Sequence, residues 1–135
     1  MKTNATDLDM PPKPYKKQLT LQQRIKEHDD ISKKHPDRIP VICERSEKSK
    51  SLPFSNKIKY LLPNDITMGQ FIGIMRQRIK LAPEQAIFLI VNSKIISGNQ
   101  LMSTIYAYNK DPDGFLYITY AGENTFGGGE CSHTT

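Results

Sequence analysis

The tightest constraint in this chain is an apolar stripe set between two strand patterns. Met68, Phe71, Ile72, Met75 and Ile79 recur at helical spacing, the signature of a helix that faces a core. Thr67-Met-Gly-Gln70 opens that helix with the spacing of a capping box. Upstream, Lys57-Ile-Lys-Tyr-Leu-Leu62 alternates, so that Ile58, Tyr60 and Leu62 face one way and Lys57, Lys59 and Leu61 the other. Downstream, Ile87-Phe-Leu-Ile-Val91 is continuously apolar, as expected of a strand buried on both faces. A one-sided helix flanked by strands needs a sheet to cover, which places the fold in the α+β class. Gly69 and Gly73 interrupt the helix at about 1 kcal/mol each relative to alanine. They leave room for close packing against a neighbour that the sequence does not name.

The rest of the chain extends this pattern. Residues 1–14 are polar and end in Pro11, Pro12 and Pro14, the composition of a flexible extension. Tyr15–Leu19 reads as a short helix. Thr20-Leu-Gln-Gln23 is a second capping box, and Leu21, Ile25, His28 and Ile31 follow at near-helical spacing until His35-Pro36 stops the helix. Ile39–Glu44 is a strand candidate, joined to Lys57–Leu62 as an antiparallel hairpin through the polar, turn-rich stretch Ser46–Asn56. Leu101–Tyr108 is a short helix, Asp111-Pro-Asp-Gly114 a turn and Phe115–Tyr120 a last strand. The order helix–helix–β–β–α–β–α–β predicts a β-grasp: a four-stranded mixed sheet with one crossover helix, preceded by two helices.

At 135 residues the chain supports one domain, with a core large enough to need no disulfide or metal. Cys43 lies in an apolar strand and Cys131 near the end, which reads as two unrelated reduced thiols of a cytosolic protein. The opening residues lack the apolar region of a secretory signal, and no apolar run reaches membrane-spanning length. Membrane association therefore requires a tether. The net charge of +5 concentrates in residues 51–80, where Lys57, Lys59, Arg76, Arg78 and Lys80 face only Asp65. Such a surface attracts acidic peptides, anionic lipid or nucleic acid, or is simply solvated.

After the last strand a short arm runs to Thr125-Phe-Gly127, followed by Gly128-Gly129 and a polar tail. Glycine enters channels that no other residue fits, and exposed termini are where proteases cut. The pattern is that of a C-terminus trimmed and then used chemically, with the Phe126 ring setting the register of the cut. No catalytic constellation accompanies it. His28, His35 and His133 are scattered, no metal-ligand spacing occurs, and no helix pattern follows the glycine run to cradle a phosphate. No cofactor is expected. Leu61, an apolar residue among outward lysines, marks a possible docking surface if its strand is a sheet edge.

Several segments together resemble the autophagy ubiquitin-like modifiers, the GABARAP and microtubule-associated protein light chain three group. They are His35-Pro-Asp-Arg-Ile-Pro-Val-Ile42, Lys59-Tyr-Leu-Leu-Pro63, Thr67-Met-Gly-Gln-Phe71, Arg76-Gln-Arg-Ile79, Phe88-Leu-Ile-Val-Asn92, Asp113-Gly-Phe-Leu-Tyr117 and Thr125-Phe-Gly127. The likeness runs nearly collinearly from Tyr15 to Gly127. Residues 1–14, the flexible extension, fall outside it and have no clear equivalent in the family. It implies a ubiquitin-like domain with its helical subdomain over 15–122, a conjugation arm over 123–127 and a discarded tail over 128–135. It further implies that a cysteine protease cuts Gly127–Gly128. E1-like and E2-like enzymes then carry Gly127 to the amine of phosphatidylethanolamine. The protein would be cytoplasmic, and on autophagosomal membranes and cytoplasmic vesicles once lipidated. It would be a non-enzyme that recruits cargo receptors and adaptors and binds no nucleic acid.

The same resemblance implies docking of acidic aromatic-x-x-aliphatic motifs. Glu27, Ile31, Pro40, Ile42, Lys59, Leu61 and Phe115 would form the aromatic pocket. Tyr60, Leu62, Pro63, Phe71, Ile74 and Met75 would form the aliphatic one, with Lys57 and Lys59 meeting the acidic residues. Arg78 would contact processing enzymes. Tyr60, Phe71 and Met75 also belong to core-facing patterns, whereas folding alone does not demand Lys59 or Leu61. Gln18-Leu19 stands where many members carry further arginines, so basic membrane contacts from the first helix are not expected. A modifier attached to protein lysines is the alternative with the same fold. A nucleic-acid-binding domain has only the basic charge in its favour and lacks a stacking platform or recognition helix.

Overall fold

A computed structural model describes residues 12–123. The extension before Pro12, and the arm and tail from Asn124 onward with Phe126, Gly127 and Cys131, lie outside the described residues. Two helices come first, α1 (Tyr15–Gln18) and α2 (Leu21–Lys34), then strands β1 (Arg38–Arg45) and β2 (Lys59–Pro63). Helix α3 (Met68–Arg78), strands β3 (Phe88–Val91) and β4 (Lys94–Ile95), helix α4 (Met102–Asn109) and strand β5 (Leu116–Ala121) follow.

The strands form one mixed sheet in the order β2-β1-β5-β3-β4. β1 and β2 pair antiparallel, as the hairpin reading requires, and β1 pairs parallel with β5 in the middle of the sheet. Helix α3 buries Met68, Phe71, Met75 and Ile79 against one face, in a core with Val41, Cys43, Leu62, Leu89, Leu116, Ile118 and Tyr120. Both capping boxes form. The Thr20 and Thr67 side chains accept from the amides of Gln23 and Gln70, each at 3.2 Å, and both glutamine side chains accept in return. These contacts satisfy helix-start donors that would otherwise be orphaned.

The other face carries a smaller cluster of Tyr15, Ile42 and Phe115, lined by Leu19, Ile31, Ile58 and Tyr117. An ion pair ties the N-terminal helices to it. Arg24 Nε donates to Asp113 Oδ2 at 2.9 Å, with the aspartate side chain fully buried. Arg24 Nη1 also donates to the carbonyls of Lys16 at 3.2 Å and Leu19 at 2.9 Å, tying the end of α1 to α2. Asp113 accepts further from the Phe115 amide at 2.8 Å and the Tyr117 hydroxyl at 2.5 Å. Gly114, with φ +100°, completes the contact, because a Cβ there would lie 2.5 Å from the His28 ring. Turn and helix therefore meet through a glycine.

Four expectations change. The sheet has five strands, because Lys94–Ile95 adds a short edge against β3 through a turn at Asn92-Ser93. The run 87–91 is not buried on both faces. Leu89 and Val91 point into the core while Phe88 and Ile90 are half-buried, since the N-terminal helices pack over β1 and β5 instead. Ile58 joins the opposite cluster from Tyr60 and Leu62, because it precedes the regular strand and the alternation does not reach it. In α2 the buried side chain is Arg24 rather than an apolar stripe, and Leu21 is exposed. Gly69 does meet a close neighbour: its amide donates to the Gly98 carbonyl at 2.8 Å, and a Cβ there would come within 3.1 Å of that oxygen. Gly73 faces open space.

Two backbone positions invite glycine. Lys80 has φ 54° just past α3, where the amide of Leu81 donates to Arg76 and that of Lys80 to Gln77, a Schellman closure. Ser93 has φ 68° in the β3–β4 turn. Left-handed backbone costs non-glycine residues about 1 kcal/mol, so Ser93→Gly is expected to raise the urea midpoint by a matching amount without changing the slope. Asp113→Ala is expected to cost about 3–5 kcal/mol, because it strands a buried guanidinium. In the same urea titration Tyr117→Phe should cost well under half of that.

Candidate functional site

The sheet order leaves β2 as an edge. Its register against β1 pairs Leu61 with Pro40 and Lys59 with Ile42. The Cys43 amide donates to the Ile58 carbonyl at 2.8 Å, which fixes the phase of the ladder. By antiparallel alternation, Tyr60 and Leu62 turn their amide and carbonyl groups toward β1, and Lys59 and Leu61 turn theirs to the open side. An extended peptide laid along β2 would find those groups in strand register. The Arg38 guanidinium stands 3.5 Å from the Leu61 carbonyl at the far end of this edge.

Beside the edge lies a cavity of about 300 Å³ lined by Ile31, Pro40, Lys57, Lys59, Tyr60, Leu61 and Phe115. Of the proposed aromatic-pocket residues, Ile31, Pro40, Lys59, Leu61 and Phe115 are brought together here. The pocket straddles the two halves of the fold: Ile31 comes from α2, Phe115 from the residue just before β5, Pro40 from β1, Lys59, Tyr60 and Leu61 from β2, and Lys57 from the connection before β2. Ile42 is completely buried beneath it with Tyr15 and Phe115, so it supports the floor rather than the surface. Phe115 is fixed edge-on between the rings of Tyr15, at 5.7 Å, and His28, at 5.6 Å.

The rim is charged. Lys59 Nζ donates to Glu27 Oε1 at 2.5 Å, and the Tyr15 hydroxyl donates to the same oxygen. Lys59 also sits over the Tyr15 ring, 5.1 Å from its centroid, and Lys57 over the Tyr60 ring at 4.9 Å. The hydrogen bond from Lys59, then that from Tyr15, holds the Glu27 carboxyl below its usual range. A carboxylate lowered in this way contributes fully above the ordinary glutamate range, and its contribution is lost as pH falls through the lowered value. Burial, then the bond to Glu27, pushes the Tyr15 phenol up, so it stays a neutral donor. Tyr15 is the residue that motif reasoning missed. Its only sequence signal is an aromatic placed directly after the proline-rich stretch.

The second expected pocket is less open. Phe71 and Met75 are wholly buried, Leu62 and Tyr60 nearly so, and Tyr60 packs edge-on against Phe71 at 5.4 Å. Only Pro63 and Ile74 reach the surface, Ile74 being 41% exposed. A ligand would touch Phe71 or Met75 only after α3 and β2 part slightly. Arg78 is exposed at the end of α3. Arg76, two residues earlier, serves the fold, donating to the carbonyls of Gln85, Ala82 and Pro83.

Other chemistry finds little footing among the described residues. No group of three His, Cys, Asp or Glu side chains is placed to hold a metal ion, and no helix is long and apolar enough to cross a membrane. Cys43 is fully buried, and burial pushes its thiol far up, away from the reactive thiolate.

Sequence and fold comparisons relate the chain to known proteins. The family described as "Autophagy protein Atg8 ubiquitin like" matches residues 23–127. The chain is 50% identical over 113 residues to "Autophagy-related protein 8" of Mycosarcoma maydis, covering 84% of this chain and 95% of that one. It is 52% identical over 113 residues to "Autophagy-related protein 8B" of Oryza sativa subsp. indica, covering 84% and 94%. The crystal structure of Trypanosoma brucei ATG8 superposes with a TM-score of 0.79 at 38% identity, over 86% of this chain and 99% of that one. The β-grasp sheet, the paired N-terminal helices and the sequence match together place this chain in the Atg8 ubiquitin-like family.

Proposed function

We propose that this protein is a conjugated modifier of autophagy that works as a receptor-docking module and not as a catalyst. The carrying observation is the open edge of β2 beside a pocket with a cationic rim. An acidic aromatic-x-x-aliphatic peptide fits that combination. Its backbone pairs with Lys59 and Leu61, its aromatic ring enters between Ile31, Leu61 and Phe115, and its acidic residues meet Lys57 and Lys59. Because Glu27 already neutralises Lys59, an acidic peptide competes with Glu27 for that ammonium. The aliphatic residue lies over Pro63 and Ile74, with Tyr60, Leu62, Phe71 and Met75 beneath. Cargo receptors and adaptors are the partners of this surface.

The C-terminus supplies the tether. The family match stops at Gly127, with eight residues beyond it in the sequence. A cysteine protease hydrolyses the Gly127–Gly128 amide, leaving a Gly127 carboxylate and releasing the tail as an amine. An E1-like enzyme joins that carboxylate to AMP at the expense of ATP, releasing pyrophosphate. Its thiol displaces AMP to form a thioester, which passes by thiol exchange to the E2-like enzyme, and the amine of phosphatidylethanolamine displaces that thiol to form an amide. Phe126 sets the register of the cut, and Arg78 offers a cationic contact to the enzymes. The cytoplasmic protein thereby becomes a lipoprotein on autophagosomal membranes and vesicles.

Three measurements test this reading. Lys59→Glu and Leu61→Ala should each weaken an acidic aromatic-x-x-aliphatic peptide about tenfold, a loss of about 1.4 kcal/mol, with the unfolding midpoint unchanged. Unaltered calorimetric affinity in both variants removes the docking proposal. Gly127→Ala should leave folding intact and abolish both tail removal and membrane association. Intact mass of the mature protein decides the rest: a phospholipid adduct on Gly127 is expected, and an isopeptide to lysine points to a protein-directed modifier.

A further inference from the structure

The connection between β1 and β2, residues 46–58, has no regular secondary structure. Connections of that length in a compact domain are uncommon unless they serve a purpose. This one is folded against the end of β5. Its own turns are closed by the Ser49 amide donating to the Ser46 carbonyl and the Leu52 amide to the Ser49 carbonyl, each at 3.1 Å. The Ser46 amide donates to the Tyr120 carbonyl at 2.8 Å, and the Ser55 amide to the Tyr120 hydroxyl at 3.0 Å. That hydroxyl in turn donates to the Pro53 carbonyl at 2.7 Å. Arg45 fastens the middle of the loop, donating to the Leu52 carbonyl at 2.8 Å while its guanidinium stacks on Phe54 at 3.8 Å.

What this loop grips is the point where the chain leaves the sheet. β5 ends at Ala121, so the ladder no longer serves the Gly122 amide. That amide donates to Ser49 Oγ at 3.0 Å, with Ser49 only 1% exposed. Leu52, also buried, presses against Gly122, its side chain 3.5 Å from where a Cβ would stand. A strand end in this position ordinarily frays. Here it is bonded to Ser49 on one side and packed on another against Leu52, which also belongs to the core cluster shared with α3.

We propose that Ser49 and Leu52 form a positioning collar that fixes where, and in which direction, the C-terminal arm leaves the domain. The inference rests on Gly127 being the processed residue. Residues 123–127 span at most about 17 Å, so a protease that holds the folded domain finds the Gly127–Gly128 bond within a small volume only if the arm starts from a fixed point. Loosening the collar leaves the enzyme's grip on the domain unchanged. It lowers the fraction of bound complexes in which the bond is aligned, and proximity effects of this kind act on kcat.

The test uses the full 135-residue chain and its processing cysteine protease. Ser49→Ala is expected to speed hydrogen exchange at the Gly122 amide and to lower kcat for tail removal about tenfold, with KM within twofold. Affinity of the docking peptide at β2 should not change. Ser49→Thr, which keeps the hydroxyl, should restore kcat. Leu52→Ala removes the packing but not the hydrogen bond, and carries the same expectation should Ser49→Ala fail to fold. Faster Gly122 exchange with unchanged kcat overturns the collar. Equal loss of kcat in Ser49→Ala and Ser49→Thr also overturns it. Failure of the wild-type chain to be cut after Gly127 overturns instead the processing reading on which the collar rests.

Discussion

The buried pair of Arg24 and Asp113 holds the two halves of this molecule together. Taking both charges out of water costs several kcal/mol, and their attraction repays this only when the remaining lone pairs and protons are also satisfied. Here they are: one aspartate accepts from Arg24, Tyr117 and its own turn, and one guanidinium closes both the end of α1 and the junction before α2. The contribution of such a network lies more in geometry than in stability. Two apolar surfaces would tolerate a helix sliding by a turn, whereas a forked guanidinium and a carboxylate accept one arrangement. That arrangement puts Ile31 over Phe115 and Glu27 beside Lys59. The pocket beside β2 therefore depends on the N-terminal helices being pinned.

The β2 edge shows how a strand divides its residues between core and surface. Lys59 and Leu61 point away from the core helix and leave their backbone groups open, so a ligand bound there would cost the fold little. Tyr60 and Leu62 point the other way and are buried. Strand alternation makes this division unavoidable: one residue of every pair belongs to the core. A surface made from such a strand inherits half its residues from the interior. This explains why Tyr60 and Leu62 are buried where the aliphatic pocket is expected, while Phe71 and Met75 are buried there because they belong to the core-facing stripe of α3.

Much of the fold was legible in the chain, and for local reasons. The capping boxes at Thr20 and Thr67, the stripe of α3 and the alternation of Lys59–Leu62 depend on residues within a few positions of one another. Misreadings occurred where a distant partner decided the outcome. Arg24 sits on a helix like any solvated arginine until Asp113, far along the chain, meets it. Leu89 and Val91 look no more buried than Phe88 and Ile90 until the N-terminal helices choose β1 and β5 to cover. The candidate pocket was signalled by Leu61 among its lysines, but Tyr15 at its rim was not, because nothing near it in sequence reveals Glu27 and Lys59.

By itself the sequence determined the element types apart from the short β4, and the two-sided character of Lys59–Leu62. Each follows from short-range periodicity or from the chemistry of a single residue. Only the tertiary structure decided that β2 is an edge, that the N-terminal helices complete a pocket, and that Ser49 and Leu52 close over Gly122. Those facts are contacts between segments tens of residues apart. They are selected by which burial and which ion pair can be satisfied together, and no window along the chain contains that information.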